Sequence, residues 1–324
     1  MSAITSKILK NNDVPLEGLK GKSVSVIGYG NQGKAHALNL RDSGINVTIG
    51  ARNPKEALKD GFNAVSISDA SCADLLIIAL PDEVQGVTYT TEIEPNLISG
   101  ATLGFIHGFA IHYAQIDPPK GVGVVMVAPK GPGVTVRENF LKGNGVFALF
   151  AVDRENATNT ARNIALGWAA GIGSGRVGVL ESTFKNETET DLFGEQAIIV
   201  GGLSMLIKAS YETLVSAGYP KELAYIECCH EVKQVADIIQ EKGIAEMMQA
   251  ISNTAEIGAY EAMDLLDNEQ LRNNLRTLLH NVKDGSFAKR LVNNEIENKR
   301  EELSKHEIEE VGKEIRSIMH QDDD

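Results

Sequence analysis

Ser23-Val24-Ser25-Val26-Ile27 runs directly into Gly28-Tyr29-Gly30-Asn31-Gln32-Gly33, and residues 34–41 then read as a helix. A GxGxxG motif is informative when it follows a strand and opens a helix in a first β-α-β unit, which is its setting here. Gly28 permits the tight turn, Gly30 lets the backbone approach a pyrophosphate, and Gly33 lets helix and strand pack closely. The helix N-terminus offers amide donors and the positive end of its dipole to phosphates. Tyr29, Asn31 and Gln32 lie in the same turn.

Outward from this turn, short apolar runs alternate with helical stretches at residues 23–27, 46–49, 75–80, 102–106, 122–127 and 146–151. Continuous apolar runs are the mark of strands buried on both faces, so the expectation is α/β: a doubly wound parallel sheet over residues 1–182. From residue 183 to 324 helical periodicity takes over, as in residues 197–217, 222–241 and 269–282, which predicts a second, all-helical domain. The closing Asp322–Asp324 reads as a solvated tail.

Composition narrows the function. At 324 residues, 43% hydrophobic and 23% charged, the chain is an ordinary globular protein of about two domains. A net charge of -13 with no basic block is poorly suited to nucleic acid or anionic membranes. Three cysteines make no disulfide framework, which together with the lack of a signal-like N-terminus points to the cytoplasm. No apolar run approaches the ~20 residues of a membrane helix.

The acidic residue expected after the second strand, where it would hold an adenine-ribose diol, is missing. Arg52 and Lys55 stand there and suit a 2′-phosphate, although Arg52 could equally stack on adenine. In the helical region Asp191 and Glu195 are spaced i, i+4, as are Glu227 and Glu231, so each pair shares a helix face. Like charges at this spacing disfavour an isolated helix, and both pairs adjoin apolar stretches. Oxygen-rich sites of this kind suit Mg²⁺; the alternative is two solvated helix faces. Cys228, Cys229 and His230 lack zinc-site spacing and read as packing residues. His107 and Lys130 each follow a strand, at the sheet edge where ligands of open α/β sheets collect, and are placed for proton transfer or charge stabilisation.

These residues together resemble the ketol-acid reductoisomerase family. The family's GYGxQG turn is matched by Gly28–Gly33, and its PDE-x-Q segment by Pro81-Asp82-Glu83-Val84-Gln85. HGFxIHY is matched from His107 to Tyr113 and APKGPG from Ala128 to Gly133. ETETDLFGEQ stands whole from Glu187 to Gln196, ExxxE is Glu227 and Glu231, and ISNTAE runs from Ile251 to Glu256. The closing Val311-Gly312-Lys313-Glu314-Ile315-Arg316 is also similar, and the resemblance covers residues 15–318.

The resemblance implies a Rossmann domain followed by a knotted helical domain of the short class. It implies two Mg²⁺ ions held by Asp191, Glu195, Glu227 and Glu231, with the second pair supplied by the other subunit of a homodimer or larger assembly of dimers. It also implies a reaction: alkyl migration in 2-acetolactate or 2-aceto-2-hydroxybutyrate, then reduction by NAD(P)H to 2,3-dihydroxy acids of branched-chain amino acid biosynthesis. Catalytic parts fall to His107, Lys130 and Glu231, substrate carboxylate binding to Ser252, and cofactor binding to Gly28–Gly33, Arg52, Asp82, Glu83, Val84, Gln85 and Gly133.

Two departures stand out. The stretch 50–62 is about four residues shorter than the family pattern, a change loops tolerate, and holds no serine to grip a 2′-phosphate. NADH use is therefore expected, against the lean given by Arg52 and Lys55. Val134 stands where many relatives have a polar residue. The competing readings are a β-hydroxyacid dehydrogenase or imine-reductase relative, which needs no metal, and a non-catalytic NAD(P)-binding protein.

Overall fold

The computed structural model describes residues 7–292 and 297–319, so the tail at Asp322–Asp324 lies outside the described residues. Among the described residues nine strands form one sheet: β1 (Ile8–Leu9), β2 (Val24–Ile27), β3 (Val47–Gly50), β4 (Asn63–Val65), β5 (Leu75–Ile78), β6 (Thr102–Phe105), β7 (Gly123–Pro129), β8 (Ala148–Arg154) and β9 (Val179–Glu181). Their spatial order is β1-β9-β8-β7-β6-β5-β2-β3-β4. The six strands β4-β3-β2-β5-β6-β7 pair in parallel, the 3-2-1-4-5-6 order of a dinucleotide-binding sheet. The sheet is mixed beyond that core: β8 pairs antiparallel to β7, with a bulge at Val124/Val125, and β1 pairs antiparallel to β9.

Burial explains which runs became strands. All residues of β2, β5, β6 and β7 are buried, with one apolar cluster on each face of the sheet. Each fully buried Leu, Ile, Val or Phe contributes roughly 1.5–3 kcal/mol relative to exposure. Trp168, from the helix Ala161–Gly171, is fully buried, and its Nε1 donates to His36 Nδ1 at 2.9 Å. A methyl group on Gly104 of β6 would come within 2.8 Å of that indole, so the strand is glycine where the tryptophan lies.

The topology places the site. Strand order reverses between β2 and β5, and the GxGxxG turn follows β2 while Pro81 follows β5. The carboxyl ends of β6 and β7 lead to His107 and Lys130.

The chain divides into two compact units, residues 1–190 and 191–324. The described part of the second unit is helical and contains no strand. Its buried apolar cluster is small and centres on Tyr211, Ala224, Tyr225, Val311 and Ile315. Much of its apolar surface is instead open: Ile198, Ile199, Val200, Met205, Leu206, Ile257, Met263 and Leu265 are all exposed. One helical run, Phe184–Ser216, is long and apolar enough by length and composition to cross a membrane, which differs from the sequence expectation. The charged residues of its first two turns masked it in a simple reading of apolar runs.

Candidate active site

The nucleotide turn is built as its glycines require. Gly28 has φ 97°, a left-handed conformation that a side chain would strain, and its N–H donates to Gly50 O at 2.8 Å. A methyl group at Gly33 would lie 2.3 Å from Gly28 O. Gly30 differs, because a methyl group there would meet no protein atom within 4 Å. Its glycine therefore keeps space open beside the start of the helix Asn31–Asp42, which has no side-chain N-cap. Uncapped amides facing open space suit a phosphate.

That turn borders a cleft of about 500 Å³, lined among others by Arg52, Asp82, Val84, Gln85 and His107. Two buried acceptors on cleft residues, Gln32 Oε1 and Gln85 Oε1, have no hydrogen-bond partner among the described residues. Buried polar atoms are rarely left so, and both await donors such as ribose hydroxyls or a carboxamide. The donor ends of these side chains are fixed: Gln32 Nε2 donates to Gly131 O at 3.0 Å, and Gln85 Nε2 to Leu80 O and Asp82 Oδ1 at 2.9 Å. The cleft thus fits a dinucleotide in its glycine pattern and unsatisfied polar atoms.

Three expected cofactor residues do not line it. Gly33 packs on Gly28. A methyl group at Gly133 would lie 2.2 Å from Asn31 O, so that glycine lets the lysine loop press on the nucleotide turn. Glu83 is exposed outside the cleft. Val134 is exposed on the first turn of the helix Gly133–Leu141, and nothing in the structure explains its departure from the family pattern.

At the carboxyl ends of β6 and β7 the centre is a residue to which sequence reasoning gave no role. Glu187 is buried, its side chain 1% exposed. Its carboxylate accepts from Lys130 Nζ at 2.7 Å and from Gly108 N at 3.0 Å, and lies 3.0 Å from His107 Nδ1. Burial alone would raise the Glu187 carboxyl, but the hydrogen bond and charge of His107, with the charge of Lys130, outweigh it and hold the carboxyl down at about 2. Gly108 permits the close approach, since a methyl group there would meet Thr188 Oγ1 at 2.4 Å. The clue in the sequence was spacing: Glu187, Asp191 and Glu195 succeed one another at intervals of four.

Asp191 lies on the helix Phe184–Gly194, and Glu195 opens a π-helical turn, Glu195–Ile199. Glu227 lies within a second π-turn, Ile226–His230, and Glu231 closes it by donating its N–H to Ile226 O at 3.2 Å. Such turns are rare and concentrate at functional sites. A plain α-helix was the sequence expectation at both pairs. Glu195, Glu227 and Glu231 are exposed and Asp191 is partly so. Among the described residues, no three ligand atoms drawn from these four carboxylates lie within 4.8 Å of one another.

The donors are hard oxygens, which fits Mg²⁺. The intervening cysteines do not make a soft site: burial, then Glu227 and Cys229, raise the Cys228 thiol, and Cys229 packs against the Tyr211 cluster. Ser252 caps the helix Asn253–Leu266, its Oγ accepting from Ala255 N at 3.2 Å. The hydroxyl proton remains available to donate to an anion.

Arg52 is placed at the cleft with partners the sequence did not suggest. Its Nη2 lies 2.7 Å from Glu92 Oε1 and 3.4 Å from Thr88 Oγ1. Tyr29 donates to Asp60 at 2.9 Å, and Lys34 pairs with both Glu56 and Asp60.

Comparison with known proteins gives consistent results for both regions. Residues 18–178 match the family model described as acetohydroxy acid isomeroreductase, NADPH-binding domain, and residues 184–321 match ketol-acid reductoisomerase, C-terminal domain. An NADH-preferring ketol-acid reductoisomerase from an uncultured archaeon is similar at 40% identity, over 97% of this chain and 100% of that one, with a TM-score of 0.94. A semialdehyde dehydrogenase NAD-binding protein from Cupriavidus necator, solved with calcium and NAD, shares 17% identity over 81% of this chain and 99% of its own, TM-score 0.62. A pyrroline carboxylate reductase from Plasmodium falciparum shares 16% over 82% and 98%, TM-score 0.52. The last two share the fold alone.

Proposed function

The chain belongs to the ketol-acid reductoisomerase family, and on that premise we propose which of its residues do the work. It is an NAD(P)H-dependent ketol-acid reductoisomerase of branched-chain amino acid biosynthesis, with the Mg²⁺ dependence general to the family. Residues 1–182 handle the nucleotide, and residues 183–324 handle metal, substrate and subunit pairing.

The observation that carries the assignment is the buried Glu187 carboxylate joined to both Lys130 and His107, one helical turn before Asp191. Glu187 stays ionised at neutral pH and so acts as an acceptor that fixes the Lys130 ammonium and the His107 ring. Lys130 balances negative charge that develops on substrate oxygens and exchanges a proton there. His107 orders the edge of the cleft beside the nicotinamide, and Glu231 moves a proton beside the metals. Asp191 and Glu195 of one subunit, with Glu227 and Glu231 of the other, would hold two Mg²⁺ ions. Bound there, the ions would supply Lewis acidity towards the substrate's ketone and hydroxyl oxygens. The cleft would hold a nicotinamide whose chemistry is hydride transfer to a 2-keto group. Ser252 donates its hydroxyl to the substrate carboxylate.

A second copy of the chain is the occupant we assign to the open apolar surface of the helical unit. Two observations support it: the exposed Ile, Leu and Met side chains, and four carboxylates of which no three lie within 4.8 Å of one another among the described residues. Lipid is a poorer occupant, because the Phe184–Ser216 run carries Glu187, Glu189, Asp191 and Glu195, and carboxylates in a bilayer are costly. The three cysteines are free thiols, in keeping with the cytoplasm as the place of work.

NADH is the cofactor we assign, from the loop without serine and from the preference stated for the archaeal relative. The test is oxidation of NADH and NADPH with 2-acetolactate, with Mg²⁺ and then with EDTA. Turnover that requires Mg²⁺ and runs faster with NADH is expected. Turnover that survives thorough metal removal would favour the dehydrogenase reading instead.

A further inference from the structure

We propose that Glu92 is the carboxylate that turns this enzyme away from a cofactor 2′-phosphate, acting from outside the strand end where such an acid ordinarily sits. The proposal rests on the reading of the cleft as the nucleotide site.

In dinucleotide-binding sheets an Asp or Glu at the end of the second strand takes the ribose diol. Here β3 ends at Gly50 and is followed by Ala51-Arg52-Asn53, with no acid. Left alone, Arg52 on the cleft wall would be an attractive partner for a phosphate. It is not left alone, because Glu92, 40 residues further along, reaches its guanidinium at 2.7 Å. The missing acid is supplied through space.

Glu92 is held there by the backbone. It belongs to the π-helical turn Tyr89–Ile93, which buries Tyr89 and Ile93 in the core and leaves Glu92 partly exposed on its outer side. Thr91 Oγ1 donates to Val87 O at 2.8 Å, and Asn96 Nδ2 donates to Glu92 O at 2.9 Å, which ties both ends of the turn. Thr88, the residue before the turn, is the second contact of Arg52.

A 2′-phosphate arriving at Arg52 must displace this carboxylate or lie beside it, and both options cost free energy. Lys34 gives no escape, since it does not line the cleft and Glu56 and Asp60 already hold it at 2.7 and 2.9 Å. Lys55 is exposed and does not line the cleft. NADH, which lacks the phosphate, meets none of this repulsion. Arg52 is 65% exposed, so solvent screens the effect and keeps it moderate.

The experiment is calorimetric measurement of NADP⁺ and NAD⁺ dissociation constants on the full chain loaded with Mg²⁺. The variants are Glu92→Gln, Arg52→Leu and the pair together. Glu92→Gln should tighten NADP⁺ by about three- to tenfold and leave NAD⁺ within about twofold. The gain should vanish in the Arg52→Leu background. An NADP⁺/NAD⁺ ratio that Glu92→Gln moves by less than twofold overturns the proposal, as does an equal gain without Arg52. A wild type that prefers NADP⁺, yet tightens further on Glu92→Gln, would overturn the NADH assignment and leave Glu92's role standing. A wild type that binds neither nucleotide would overturn both.

Discussion

The two units of this chain finish themselves to different degrees. In the first, a sheet buried on both faces ends in a site whose groups already hold one another: Glu187 grips Lys130, His107 and the Gly108 amide. In the second, the buried cluster is small, large side chains such as Leu265 are 75% exposed, and among the described residues no three carboxylates of the two acidic pairs lie within 4.8 Å of one another. The first unit is organised by its own contacts. The second leaves much of its apolar surface open, and the subunit pairing proposed above would tie its chemistry and its assembly to one event.

Several experiments would break or sharpen that contrast. The largest effect is expected from Glu231→Gln or Asp191→Asn, each reducing turnover of 2-acetolactate by about 10³-fold or more, as metal-site losses do. Mixing the two inactive variants under exchange conditions should recover about a quarter of wild-type activity, because a mixed dimer keeps one intact site. Recovery near zero would place all four carboxylates in one chain. A charge on the open apolar surface, Leu206→Glu, should shift sedimentation from dimer to monomer and abolish activity with it. An active monomer would dissolve the link between assembly and chemistry.

Within the first unit, Glu187→Gln should lower kcat by about 10²-fold, since Lys130 and His107 lose their common acceptor. It should also change the acid limb of stability. The folded-state Glu187 carboxyl is held at about 2, below its ordinary 4.5, so its contribution is present above pH 4.5 and lost as pH falls from there towards 2. That contribution is about 3 kcal/mol by linkage. Denaturant titrations at pH 6 and pH 3 should show wild type losing about 2 kcal/mol of this increment and the variant not, the remainder being lost only below pH 3. Equal pH dependence in both would mean that His107 and Lys130 do not hold the carboxyl down. The smallest effect is expected from Ser252→Ala: KM for substrate up about tenfold, with about 1 kcal/mol lost from the helix it caps. An unchanged KM would leave Ser252 a cap only.

Much of the first unit could be read from residues alone because its strands are buried on both sides, and such strands write themselves as unbroken apolar runs. Strands β1, β4 and β9 escaped because two or three residues make no run. The two acidic pairs were visible by spacing, but the π-turns that begin at Glu195 and enclose Glu227 were not. An i, i+4 pair reads as an α-helix whether or not the ladder slips by one residue. Glu187 was in plain view, yet a buried acid and a solvated one are the same letter. Glu92 was less accessible still, since its bond to Arg52 spans 40 residues and exists only after the sheet has folded.

The turn at Glu195–Ile199 has an effect downstream of itself. Its extra residue sets the helix after it back by roughly 100° relative to an uninterrupted spiral, one residue's share of a 3.6-residue turn. Every side chain of Gly201–Ser216 is therefore rephased against the acids before it. Gly201 and Gly202 accommodate the slip, since a methyl group on either would strike the Gln196 or Ala197 carbonyl at 2.4 or 2.1 Å. Straightening this turn into plain α-helix at unchanged length would leave composition almost untouched and swing the apolar stripe of Gly201–Ser216 out of phase with Asp191, like a key cut correctly but turned in its bow.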